Sequence, residues 1–171
     1  MQELQAIEIE PFRKVLAASR VDAVMTAHVV YPALDERFPA TLSYDILQLL
    51  RTDLDFDGLI ITDSLTMEAI VDTWTVGEAA VLAVESGADI ISLKSASDVH
   101  EVFSSLIEAV RSGRLAEDRV DESVERVLEL KRRIGVGAAW SGDPVGVGSR
   151  QNLDVAASIF ASARRAGCTS S

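Results

Sequence analysis

The sequence predicts an α/β fold built on a parallel sheet, and three observations carry that expectation. Leu59 to Ile61 is a continuous apolar run entered through Gly58, which suits a strand covered on both faces; a sheet with one wet face would alternate apolar and polar residues. Just before it, Ile46, Leu47, Leu50 and Leu54 recur at three- and four-residue spacing, as on the buried stripe of a helix. Two further stretches, residues 21–29 and 88–93, also read as strands, and each of the three is followed by helix-like sequence.

Taken in order, residues 3–18 are a lead-in and then a helix beginning at Pro11, with Phe12, Val15 and Leu16 toward the core. In the strand VDAVMTAHV, Met25 and its alternates share one face, and Val24, Thr26 and His28 the other. His28 is expected at the pocket wall and Met25 in the core. The loop from Val30 to Thr41, bracketed by Pro32 and Pro39, is long for a βα connection, and ordered loops of that length are commonly functional. After the central strand, Ser64 to Val71 reads as a short helix or turn, and Glu78 to Glu85 as a helix ending at a left-handed Gly87. Ser97 and Asp98 can cap a helix carrying Val102, Phe103, Leu106, Ile107 and Val110 inward. A last helix, Glu117 to Ile134, has acids in its first turn and Lys131, Arg132 and Arg133 in its last, matching the helix dipole. A glycine-rich linker comes next from Gly135, then an apolar helix over Leu153 to Ala163.

Composition narrows the partners. With 171 residues, 48% hydrophobic and 25% charged, the chain can bury a sizeable core, and its net charge of −11 argues against nucleic acid and anionic membrane surfaces. Small neutral ligands stay open. Cys168 is the only cysteine, so neither an internal disulfide nor a cysteine-based metal site is expected. Two histidines without ligand spacing give no case for zinc, and no cofactor is implied. No apolar run approaches the ~18 residues of a membrane span, and the first residues lack the pattern of a signal peptide; localisation and oligomeric state are undetermined.

Asp63 draws the chemistry. It stands at the carboxyl end of the central strand, where the βα loops of parallel folds open and chemistry is placed. An acid there either caps a helix beginning near Ser64 or serves as a fixed carboxylate. His100 falls on a solvated helix face and has no assigned role.

The spacing of Leu49, Leu50, Arg51, Asp53, Gly58, three apolar residues, Thr62, Asp63 and Thr66 resembles the signature around the catalytic aspartate of glycoside hydrolase family 3. The resemblance continues through Met25 to Ser43 (MTAHVVYPALDERFPATLS), Gly77 to Leu93 and Asp121 to Gly135, and the His-bearing segment is most similar to the β-N-acetylhexosaminidase branch. Asp55 stands where the family usually has Gly, and Asp53 where Glu is common.

The resemblance implies a TIM (β/α)₈ barrel. Three strands cannot close one, so the chain is expected to hold its last three βα units, open at the missing half. Residues 1–135 would be the C-terminal part of the catalytic barrel, and 136–171 a linker and the truncated start of a second domain. It also implies a retaining exo-glycosidase acting on a small carbohydrate, with Asp63 as nucleophile and His28 and Met67 lining the substrate site. A β-glucosidase or β-xylosidase, or a catalytically silent fragment, are the alternatives. Trp74 would either stack on sugar or anchor the core. The branch takes its proton donor from a Lys-His-Phe-Pro-Gly-His-Gly type loop, which this sequence lacks; His28 does not match that loop and inherits no donor role.

Overall fold

Three strands lie side by side in chain order in the computed structural model: β1 (Ala23–Met25), β2 (Leu59–Ser64) and β3 (Ile90–Ser92) form one parallel sheet with β2 central. The structure describes residues 4–136 together with 150, 153–155, 157, 158 and 161. Residues Met1–Ile134 and Gly135–Ser171 are separate compact units, and all three strands belong to the first. Of the expected helix over Leu153 to Ala163, residues 153–155, 157, 158 and 161 are described and are helical, and Cys168 lies outside the described residues.

The apolar run forms the central strand, buried at Leu59 and Ile60 and half-buried at Ile61. Ile60 is completely buried and pairs with Val24 of β1. Against this side pack Leu42, Leu47, Phe56, Leu65, Ile70, Ala79, Ala80 and Ala83. Leu47 comes from α2 (Tyr44–Gln48), Ile70 from α3 (Glu68–Val71) and the alanines from α4 (Val76–Ser86), and Leu50 of a π-helical turn (Leu49–Asp53) packs against them. The alanines of α4 belong to this buried cluster, and Thr75 caps the helix by accepting the Glu78 N–H. It ends at Gly87, whose φ of 124° disfavours a side chain. At Gly58 the constraint is space, since a Cβ would meet the Phe56 ring at 2.7 Å and the Asp22 carbonyl at 2.8 Å.

Five expectations need correction. The first strand is three residues long rather than nine, so His28 lies beyond it. Met25 is not core but 67% exposed: it pairs with Ile61, beside the residue that faces the helices, and no described element covers it there. In α1 (Glu10–Ala18) only Leu16 packs on the core, whereas Phe12 and Val15 remain exposed; with Val24, Leu50 and Leu54, Phe12 lines an open apolar groove along the free edge of β1. In α5 (Val99–Arg111) Val102 is buried, but Phe103 is 62% exposed and lines, with Ile107, a groove beside Val124 and Leu128 of α6 (Glu117–Arg133). Amphipathic spacing identifies these apolar stripes but not whether an element faces them. Nor does Asp98 cap α5. Its backbone is already helical, and Ser95 instead accepts the Ser97 N–H of the preceding turn.

At the amino-terminal end of β3, the fully buried carboxylate of Asp89 gathers Arg51, Arg119 and Arg126, the Ser123 hydroxyl and the Ile60 N–H. Burial pulls the Arg51 guanidinium below its ordinary pKa, with Asp89 opposing that shift. The hub ties α6 and the π-helical turn to the foot of the sheet, opposite the end that carries Asp63.

Candidate active site

Asp63 is the penultimate residue of β2, half-buried at its carboxyl end. Oδ1 accepts the Ser64 N–H at 2.7 Å, and Oδ2 receives no hydrogen bond from the described residues. A carboxylate held by one oxygen keeps its orientation and leaves the other oxygen available. The helix-capping alternative does not hold, because α3 begins only at Glu68 and its N-cap position is occupied by Met67 without a side-chain bond.

The turn beyond Asp63 is gripped from both neighbouring strands. Ser64 and Leu65 share one peptide plane. Its carbonyl accepts His28 Nε2 at 3.0 Å and the Met67 N–H at 3.1 Å; its N–H, that of Leu65, donates to the Ser92 carbonyl of β3 at 3.1 Å. Between Ile61 and Ser64, β2 has one more residue than β3, a bulge of the kind that re-aims side chains near active sites. Thr62, fully buried there, accepts the Ser92 N–H at 2.9 Å. The Ser64 and Thr66 hydroxyls bond each other at 2.9 Å.

His28 is half-buried, and both ring nitrogens are engaged within the protein. A carbonyl can only accept, so Nε2 carries the proton in the neutral ring and Nδ1 accepts from the Thr41 hydroxyl at 2.9 Å. Thr41 in turn accepts from the Thr26 hydroxyl at 2.8 Å. The relay runs from Thr26 through Thr41 and His28 to the Ser64 carbonyl. Thr26 and His28 meet the same partner, so the face they share in the sequence is shared in the fold.

Thr41 reaches this position because the long loop folds on Asp35. The Asp35 carboxylate accepts the Arg37 N–H at 2.9 Å, the Phe38 N–H at 3.2 Å and the Ser43 hydroxyl at 2.8 Å. The Arg37 N–H leads in holding the Asp35 pKa below its ordinary value, and the Ser43 hydroxyl and Phe38 N–H add to it against the cost of burial. The loop then closes through a 3₁₀ turn (Ala40–Leu42) whose Leu42 carbonyl accepts the Ser86 hydroxyl of α4.

The remaining candidates separate. Met67 is 46% exposed just beyond the clamped turn, free to meet a ligand. Trp74 stacks on Phe38 with ring centroids 6.0 Å apart and packs against the core, as an anchor does. His100 is exposed on α5. Among the described residues no group of three or more His, Cys, Asp or Glu could hold a metal ion. Sequence reasoning missed Thr41 and the Asp89 hub. The polar pair Thr26 and His28 on a face otherwise turned to the core was the available signal, since such groups require partners.

Known proteins share this fold. A β-N-acetylglucosaminidase of glycoside hydrolase family 3 from Paenibacillus sp. superposes with a TM-score of 0.78 at 45% identity, over 83% of this chain and 27% of that one. Beta-hexosaminidase A of Pseudoalteromonas piscicida is 30% identical over 77% of this chain and 25% of its own length. Beta-hexosaminidase LpqI of Mycobacterium tuberculosis is 34% identical over 77% of this chain and 35% of its own. The chain therefore spans between a quarter and about a third of the length of these relatives. The model of the glycosyl hydrolase family 3 N-terminal domain matches residues 1–130, and with it the helix, strand and acid around Asp63, so the chain belongs to glycosyl hydrolase family 3.

Proposed function

We propose that this chain supplies the nucleophile side of a retaining glycosidase site specific for terminal N-acetyl-β-hexosaminides, as the names of its relatives suggest. The observation that carries the proposal is Asp63 itself: a half-buried carboxylate at the carboxyl end of the central strand, one oxygen held by the Ser64 N–H and the other without a protein partner among the described residues. In the reaction, Asp63 attacks the anomeric carbon as the leaving oxygen departs with a proton from a separate acid. Water then hydrolyses the glycosyl ester with that same group acting as base, which restores the carboxylate and retains configuration. The developing oxocarbenium ion is positive, so a fixed anion beside it lowers the barrier.

On this reading the acid is a histidine that these residues do not supply. His28 is committed to Thr41 and Ser64, and His100 is the only other histidine. On this reading residues 1–135 are the last three βα units of a (β/α)₈ barrel, 136–171 lead toward a second domain, and the two apolar grooves beside β1 and between α5 and α6 are where the remaining units pack. His28 and Met67 border the sugar site, Met67 with its exposed thioether. The β-glucosidase reading has no observation of its own.

The test uses a leaving group that needs no proton. A 5-fluoro-N-acetylglucosaminyl fluoride offered to this chain, joined in frame behind the first half of the Paenibacillus domain, is expected to leave a glycosyl ester on Asp63, located by peptide mass spectrometry. An ester on any other residue overturns the assignment.

A further inference from the structure

We infer that His28 is a positioning residue for the Asp63 carboxylate, acting through the Ser64–Leu65 peptide plane; this rests on the reading of Asp63 as nucleophile. The geometry is specific. The plane is fastened at both ends, its carbonyl by His28 Nε2 from the β1 side and its N–H by the Ser92 carbonyl of β3. The peptide just before it carries the Ser64 N–H that holds Asp63 Oδ1. Only the two backbone torsions of Ser64 separate these planes, so fixing one restricts the direction in which the other presents its N–H to the carboxylate. Releasing the His28 end lets the plane rotate, and the carboxylate rotates with it.

The surroundings of the neutral ring select one tautomer. The Thr41 hydroxyl, fully buried, donates to Nδ1 and so selects the tautomer with the proton on Nε2, the one able to grip a carbonyl. Thr26 fixes the Thr41 hydroxyl in turn. A histidine used as acid or base needs one nitrogen free toward substrate, and this one has none. A histidine used to bind sugar would need the same. Such an arrangement orients a neighbouring group and leaves the reaction's proton inventory unchanged.

The consequence is a rate effect without a binding effect. A displacement on the order of 1 Å in a reacting group costs roughly 10²-fold in rate. In the joined enzyme described above, His28→Ala is therefore expected to lower kcat on a nitrophenyl N-acetyl-β-glucosaminide by about 10²-fold with KM within about threefold of the parent. His28→Gln, whose amide nitrogen can donate at the Nε2 position, should recover most of that loss. The acid and base limbs of the pH profile should stay where they are in both variants. Labelling with the fluorosugar counts functional sites, so the loss is read per folded, labelled molecule. In the full 171-residue chain, the Leu65 amide should exchange faster with solvent in His28→Ala and at the parental rate in His28→Gln.

Other results overturn the inference. A raised KM with intact kcat would make His28 a substrate-binding group. Loss of one pH limb, with His28→Gln as inactive as His28→Ala, would make it a proton-transfer group. Fewer labelled sites at an unchanged rate per site would make it structural only. Asp63→Asn is the separate control: activity that survives it removes the nucleophile reading itself, whatever His28 does.

Discussion

At the residue scale, the turn before β2 and the loop before α2 each rest on one acid. Asp55 has a φ of 50°, the only positive φ at a non-glycine residue in the described structure. It occupies the position where the family resemblance calls for glycine. Left-handed backbone costs an L-residue roughly 1 kcal/mol, with Asp among the better tolerated, so Asp55→Gly is expected to stabilise the fold by up to about 1 kcal/mol in denaturant titration. A loss of stability would show that the Asp55 side chain contributes something its neighbours do not reveal. Asp35 makes the opposite kind of contribution. Its pKa is depressed in the fold, chiefly by the Arg37 N–H, so its stabilising effect is complete above the unfolded value of 3.8 and is lost as pH falls from there through the lower folded value. Asp35→Asn should flatten the acid limb of a stability-against-pH curve below about pH 4, whereas an unchanged limb would mean that the loop does not depend on its carboxylate.

At the scale of elements, periodicity in the sequence is enough to find α4, α6, the buried strand β2 and the acid at its end. It fails where the outcome depends on a neighbouring element. Phe12, Met25 and Phe103 sit on correctly identified apolar stripes, yet all three are exposed, because a stripe records what a residue could bury and not what faces it. Thr41 reads in the sequence only as the end of a long loop, because its partners His28 and Thr26 lie more than ten residues away. The Asp89 hub is hidden for the same reason: its three arginines come from two separate segments, and spacing along one helix shows only Arg119 and Arg126. Replacing Asp89 by Ala would leave three partly buried guanidinium groups without their shared anion, and a cost of about 3–5 kcal/mol is expected. Far-ultraviolet circular dichroism during thermal unfolding measures it, and a change below about 1 kcal/mol would show that water already compensates these charges.

At the scale of the molecule, a three-stranded parallel sheet holds a nucleophile candidate and its clamp at one end and a charged hub at the other. General acid catalysis contributes about 10² to 10⁴-fold to reactions of this kind, and the chain has no free histidine to provide it near Asp63. The 171-residue chain by itself is therefore expected to give no detectable turnover of an unactivated N-acetylglucosaminide, and the joined enzyme to give turnover. The most direct measurement is hydrolysis by the joined enzyme with and without Asp63→Asn. Turnover that falls by at least about 10³-fold on that substitution, in a variant with unchanged circular dichroism, is the predicted result. Turnover that persists at the parental rate would contradict the assignment of Asp63 as the nucleophile.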